Sequence, residues 1–130
     1  MAARPDDSPA LVLVADDERD IVTLVALRLE RAGYEVVTAG SGEQALALAL
    51  ERRPDVAVLD VRMPGLDGYQ LTARLRAEPT TAKIPIILFS ASVHQANVDR
   101  GFEVGATAYL RKPFNPTTLL AEIERALEKG

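Results

Sequence analysis

The chain has no cysteine, no tryptophan, a single histidine, three tyrosines and three phenylalanines in 130 residues. Without thiols it can form neither a disulfide nor a thiolate metal site. The one histidine, His94, falls in the first turn of a predicted helix and reads as a solvated side chain with no catalytic or metal role. No apolar run approaches the roughly 20 residues of a membrane span. Met1–Pro9 has no apolar core on which a signal peptide could be built. These absences give a cytoplasmic expectation with no membrane contact. Positive charge is not in excess either: 15 Lys and Arg face 19 Asp and Glu, a formal net charge of −4. That balance argues against nucleic acid as a direct partner.

What is present is the composition of one globular domain, 48% hydrophobic and 26% charged. Residues 1–9 form a polar, proline-containing head expected to be disordered. From Ala10 to the end, strand-like and helix-like segments alternate, the pattern of an α/β domain with a parallel sheet. Leu11–Val14, Glu35–Thr38, Asp55–Asp60, Ile84–Phe89 and Thr107–Leu110 read as strands. Helices are expected after each. Their starts are marked by Ser41 with Gln44, by Asp67, by Ser92 with Gln95, and by Asn115 before Pro116. Gly33 and Gly105 mark two helix ends. Gly101 lies inside the fourth helix at a cost of about 1 kcal/mol against alanine, which makes that helix the candidate for movement. Right-handed crossovers turn five β-α units into a doubly wound three-layer sandwich.

The strand ends carry the chemistry. The first delivers Asp16 and Asp17, the third Asp60, the fourth Ser90, and the fifth is followed by Lys112. In a parallel sheet all of these fall on the carboxyl edge, where ligands bind. Three ionised carboxylates in one crevice repel unless a cation bridges them. An oxygen-rich cluster of that kind suits Mg2+, which keeps waters and takes only a few carboxylates. Such a site fits phosphoryl transfer, with Asp60 as the in-line nucleophile and Lys112 neutralising phosphoryl oxygens. Ser90 could donate to the new oxygens. If it moves to do so, Tyr109 on the neighbouring strand could fill the space that it leaves.

Asp16-Asp17-Glu18, Asp60 with Met63-Pro64-Gly65-Leu66-Asp67-Gly68, Ser90-Ala91 and Lys112-Pro113-Phe114 together resemble a response-regulator receiver domain of two-component signal transduction, of the single-domain, CheY-like kind. The resemblance spans about Ala10 to Leu127, so residues 10–130 are expected to be one receiver domain. It implies a flavodoxin-like fold, a five-stranded parallel sheet in the order 2-1-3-4-5 with five helices. It implies that Asp60 accepts a phosphoryl group from a sensor histidine kinase or histidine phosphotransfer protein. Asp17, Asp60 and the backbone carbonyl of Arg62 would bind Mg2+ directly, and Asp16 largely through water. Lys112 would pair with the phosphoryl group, Ser90 and Tyr109 would form a coupled switch, and the Lys112-Pro113 bond would be cis. The only catalysis implied is the domain's own phosphorylation and its own slow dephosphorylation, tuned at Arg62 and Ser92. Output would pass through the fourth helix, fifth strand and fifth helix to a downstream protein effector, with the domain a monomer or weak dimer.

Other readings are weaker on the residues themselves. A mononucleotide-binding protein would need a Gly-rich loop after the first strand, and none is there. An aspartyl phosphatase would want a second Asp two residues after Asp60, where Arg62 stands. A pseudo-receiver, a protein-protein interaction module working without phosphorylation, remains the alternative.

Overall fold

The computed structural model describes residues 8–92, 94–113 and 115–129. Most of the proposed head, residues 1–7, lies outside the described residues, whereas Pro9 occupies an exposed bridge position just before the first strand. Five strands alternate with five helices: β1 (Leu11–Ala15), α1 (Arg19–Arg31), β2 (Glu35–Ala39), α2 (Gly42–Arg52), β3 (Val56–Asp60), α3 (Gly68–Ala77), β4 (Ile86–Ser90), α4 (Gln95–Glu103), β5 (Ala108–Arg111) and α5 (Pro116–Lys129). All pairings are parallel, in the order β2-β1-β3-β4-β5. This is the expected doubly wound sandwich.

The three central strands, β1, β3 and β4, are buried along their whole length because helices cover both faces of the sheet. Their side chains alternate between two cores. Leu13, Ala57, Leu59, Ile86 and Leu88 pack with Ala45, Ala49, Leu71 and Leu75 of α2 and α3. Val12, Val14, Val58, Ile87 and Phe89 pack with Val25 and Leu29 of α1 and Leu119 and Ile123 of α5. Small residues on α2 let that helix lie close to the sheet, and its N-terminus abuts the loop after β3, where a methyl on Gly42 would meet the Leu66 carbonyl.

Helix starts follow the sequence with instructive differences. Asp67 makes a complete capping box with Gln70: its Oδ1 accepts from the Gln70 N–H at 2.8 Å, and Gln70 Oε1 accepts from the Asp67 N–H at 3.0 Å. Asn115 caps α5 by accepting from Thr117 N–H at 2.8 Å. Ser41 caps α2, but Gln44 reaches one residue further back, to the Gly40 N–H. The expected start at Ser92 is wrong. The N-cap of α4 is His94, whose side chain makes no capping bond. Ser92 is committed elsewhere: its N–H donates to Ser90 Oγ, its carbonyl accepts from Tyr109, and its hydroxyl accepts from Asn97. Gly33 and Gly105 end α1 and α4 at φ 98° and 112°, in the left-handed region that glycine tolerates.

Two strands start later than the apolar pattern suggests. Pro85 has no N–H for the ladder and Ile84 N–H turns back to the Thr81 carbonyl, so β4 begins at Ile86. Thr107 accepts from Ile86 N–H through its side chain, which delays β5 to Ala108.

Arg76, near the end of α3, ties three segments together. Its guanidinium donates to the carbonyls of Ala82 and Ile84 in the loop before β4 and to Gly105 after α4, at 3.1, 2.6 and 2.8–3.0 Å. Half-buried, it meets carbonyl dipoles where a carboxylate would be the usual partner, and burial lowers its pKa. Arg76→Met should cost about 2–3 kcal/mol, because three carbonyls lose a charged donor. Arg76→Lys should recover only part of that loss, since one ammonium cannot span the same fork. Urea unfolding midpoints of the three proteins provide the check.

Candidate phosphoacceptor site

The sheet register brings the candidate residues together. Ala15 pairs with Leu59, so Asp16 and Asp60 leave adjacent strands side by side. Asp60 in turn pairs with Phe89, which puts Ser90 one step beyond it on the other flank. The Lys112 N–H donates to the Ser90 carbonyl at 2.8 Å, which returns the chain after β5 to the same edge. Asp16 and Asp60 are buried, at 1% and 3% exposure, while Asp17 faces solvent. One carboxylate oxygen from each of Asp16, Asp17 and Asp60 lies within 4.8 Å of the others. The predicted triad is therefore a cluster in space.

Lys112 is the cation of this cluster. Its Nζ lies 3.0 Å from Asp16 Oδ2, 3.1 Å from Glu18 Oε1 and 3.3 Å from Asp60 Oδ2, and 5.3 Å from the centre of the Phe89 ring. Burial acts to lower its pKa, but hydrogen bonds and attraction from Asp16, Glu18 and Asp60 outweigh that and raise it, so it stays charged. The opposite holds for Asp60. Burial, then the close approach and repulsion of the Asp16 carboxylate, push its carboxyl up to about 7, against smaller lowering effects of Lys112 and the Arg62 N–H. That N–H donates to Asp60 Oδ1 at 3.3 Å. Asp16 Oδ1 accepts from Glu18 N–H at 2.9 Å, whereas Asp16 Oδ2 is close to Lys112 without receiving a well-directed hydrogen bond from the described residues. One ammonium leaves this buried carboxylate edge incompletely satisfied.

The remaining predicted residues sit beside the cluster. Ser90 is buried, and its Oγ accepts from Ser92 N–H at 3.1 Å. The Lys112-Pro113 bond is cis, as expected. Phe114 lies outside the described residues. Tyr109 does not wait for Ser90 to move: its hydroxyl already donates to the Ser92 carbonyl at 3.0 Å and lies 3.2 Å from the Tyr69 hydroxyl. His94 is exposed and outside the site. Two participants were missed. Glu18 shares Lys112, and its only sequence signal was adjacency to Asp16-Asp17. Tyr69 read as one more apolar residue of α3, because a hydroxyl at the end of a buried ring leaves no trace in hydrophobic periodicity.

A family model described as the response regulator receiver domain matches residues 12–124. The chain belongs to that family. It is 40% identical over 118 residues to the phosphate regulon transcriptional regulatory protein PhoB of Pseudomonas aeruginosa, an alignment covering 91% of this chain and 52% of that protein. The chain spans about half the length of the curated relatives it matches. Among solved structures, the Vibrio cholerae chemotaxis protein CheY4 superposes with a TM-score of 0.88 at 39% identity, over 92% of this chain and 99% of that one. The receiver domain of the sensor histidine kinase PA1611 from Pseudomonas aeruginosa, solved with a magnesium ion coordinated in its active-site cleft, matches at TM-score 0.86 and 30% identity, over 92% and 98% of the two chains. The receiver fold and its family are thus established, and a phosphoryl-accepting switch is the family's general function. No helix among the described residues is long and apolar enough to cross a membrane.

The raised Asp60 pKa has a consequence for stability. Below an ordinary carboxyl pKa near 4 both folded and unfolded chains hold the proton. Between there and about 7 only the folded receiver keeps it, so stability falls as pH rises through that window. With chelator present, the urea midpoint should therefore drop from pH 4.5 to pH 8 (roughly the window), and Asp60→Asn should flatten the drop. Equal slopes for the two proteins would contradict the assignment of the raised group.

Proposed function

We propose that Asp60 accepts a phosphoryl group from a phosphohistidine and that the resulting charge change is read on the α4–β5–α5 face. The observation that carries this reading is the convergence of a buried strand-end carboxylate, two further carboxylates and a lysine within bonding range. Asp60 Oδ attacks phosphorus in line, the P–N bond to the donor imidazole breaks, and the imidazole, whose other ring nitrogen carries a proton, takes the electron pair and leaves neutral. Lys112, close to Asp60 Oδ2 already, neutralises phosphoryl oxygens, and Ser90 supplies a hydroxyl donor once it leaves the Ser92 N–H.

The site fits a hard divalent cation. Its donors are carboxylate oxygens, and the buried Asp16 Oδ2 lacks a well-directed hydrogen bond from the described residues. Asp17, Asp60 and the Arg62 carbonyl would hold Mg2+, with Asp16 acting largely through water. Bound there, Mg2+ supplies positive charge against the phosphoryl oxygens. The magnesium ion of the PA1611 receiver supports the same assignment here.

The donor is a sensor histidine kinase or histidine phosphotransfer protein. An apolar groove of about 560 Å³ between α1 and α5, lined by Ile21, Leu24, Leu119 and Leu120, opens beside Glu18 and Lys112. That position suits a donor helix carrying its histidine to Asp60. The output partner is a protein, since a net charge of −4 disfavours direct binding of nucleic acid. We take the domain to be cytoplasmic, a monomer or weak dimer, and slow to dephosphorylate, with Arg62 and Ser92 bordering the site. It catalyses nothing beyond its own phosphorylation and dephosphorylation. A pseudo-receiver would have no use for an intact acceptor, carboxylate pair and lysine, and those residues favour the phosphorylated switch.

Acetyl phosphate with Mg2+ tests the chemistry without a kinase. The wild-type protein should gain the mass of one phosphoryl group and Asp60→Asn should gain none. Asp17→Ala should lose the Mg2+-dependent labelling, and Lys112→Ala should label at least about tenfold more slowly. Labelling of Asp60→Asn, or an inert wild type, rejects the assignment.

A further inference from the structure

We propose that Tyr69 is a positioning residue that seats Tyr109 inward under α4 before Asp60 is phosphorylated, and that Gly101 is the glycine this seat requires. The inference rests on the reading of Tyr109 as a switch, and it adds what holds the switch in the unphosphorylated receiver.

The seat has three sides. Its floor is α4 at Gly101: a methyl built there would lie 2.9 Å from Tyr109 Cδ2 and 3.2 Å from Leu88 Cδ1. Only a residue without a side chain lets α4 come down over the ring. Its end wall is the Ser92 carbonyl, which accepts from the Tyr109 hydroxyl at 3.0 Å. Its side wall is Tyr69 from α3, whose hydroxyl lies 3.2 Å from the Tyr109 hydroxyl and 3.2 Å from the Asn97 carbonyl of α4. Two hydroxyl protons serve three contacts, so the pair shares donors as a network. Burial, followed by the Tyr109 hydroxyl, raises the Tyr69 pKa and keeps it neutral and able to donate.

Tyr69 itself is fixed. It is 5% exposed, and Arg100 of α4 stacks on its ring at 4.4 Å from the centroid. Tyr69 thus touches α4 twice and Tyr109 once, whereas Tyr109 is only half-buried. The better-anchored ring holds the other. Ser90 meanwhile accepts from the Ser92 N–H while Tyr109 is inward. The two switch side chains both attach to Ser92, one at its N–H and the other at its carbonyl, and so meet through one residue. A phosphoryl group that binds best with the ring inward has its apparent affinity scaled by the inward fraction, so binding weakens as that fraction falls.

Tyr69→Phe removes the hydroxyl and leaves the ring beneath Arg100. In the unphosphorylated protein, proton-proton Overhauser contacts from the Tyr109 ring to Gly101 Hα should be present in wild type. They should weaken in Tyr69→Phe as the outward state gains about three- to tenfold in relative population. Gly101→Ala, although a better helix former, should lose the inward ring altogether. Wild-type contacts that are absent, or unchanged in Tyr69→Phe, overturn the proposal. Affinity for beryllofluoride with Mg2+ reads the coupling separately. Tyr69→Phe should weaken it by the factor by which the inward fraction falls, at most about three- to tenfold, and by nothing further in a Tyr109→Phe background. An equal loss in both backgrounds overturns the positioning role. If Tyr109→Ala leaves the affinity unchanged while the ring contacts still depend on Tyr69, the switch reading fails and the seat stands.

Discussion

Like charges confined at one sheet edge are the constraint on which the structure depends. Asp16 and Asp60 are buried on adjacent strands, Asp17 and Glu18 follow at the mouth, and Lys112 is the cation that reaches Asp16, Glu18 and Asp60. A solvated site would relax by moving the side chains apart. Here parallel pairing from Val12↔Val56 to Ala15↔Leu59 fixes their separation, and the two cores that grip β1 and β3 hold the pairing. The repulsion is stored by packing that has no chemistry of its own. A phosphoryl group delivered to Asp60 exchanges one carboxylate charge for about two phosphoryl charges, and the cations around it set how far that disturbance spreads.

The disturbance has a short route to the surface. Asp60 neighbours Phe89 in the register, Ser90 is the next residue, and Ser92 ties Ser90 to Tyr109 through its two backbone groups. Asn97 is tied to two segments, by its amide to Ser92 and by its carbonyl to Tyr69 of α3. The first turn of α4 is thus tied to the loop after β4 and to α3 through Asn97, while Arg76 fixes the carbonyl of Gly105 beyond its C-terminus. Hydrogen bonds therefore tie both ends of α4 to neighbouring elements, and between them Gly101 lets the helix approach the Tyr109 ring.

The sequence carried the framework well because the framework is periodic. Continuous apolar runs named β1, β3 and β4, and carboxylates or hydroxyls at their ends named the site, since parallel topology sends all such ends to one edge. Asp67 and Asn115 were legible because capping is local. Ser92 was misread for the same reason: its pattern with Gln95 is a good local signal, but the backbone of Ser92 is taken by Ser90 and Tyr109, partners on β4 and β5. Local rules lose where long-range hydrogen bonds compete for the same groups. Arg76 and Tyr69 were invisible because each acts through the far tip of a side chain on residues distant in sequence.

Two of those misreadings, Ser92 and Tyr69, lie close together. Helices α2, α3 and α5 start where their local signals put them. The misread cap at Ser92 and the unread hydroxyl of Tyr69 meet in one hydrogen-bonded region between α3, α4 and β5, through Tyr109 and Asn97. A sequence optimised only for local stability would place a capping residue at the start of α4 and an alanine at position 101. This chain gives up both, and in exchange brings a tyrosine ring beneath α4 and a serine backbone between the acceptor edge and that ring. The stability lost at α4 is therefore localised where a phosphoryl charge of modest energy can act, while the paired strands that hold Asp60 in place keep theirs.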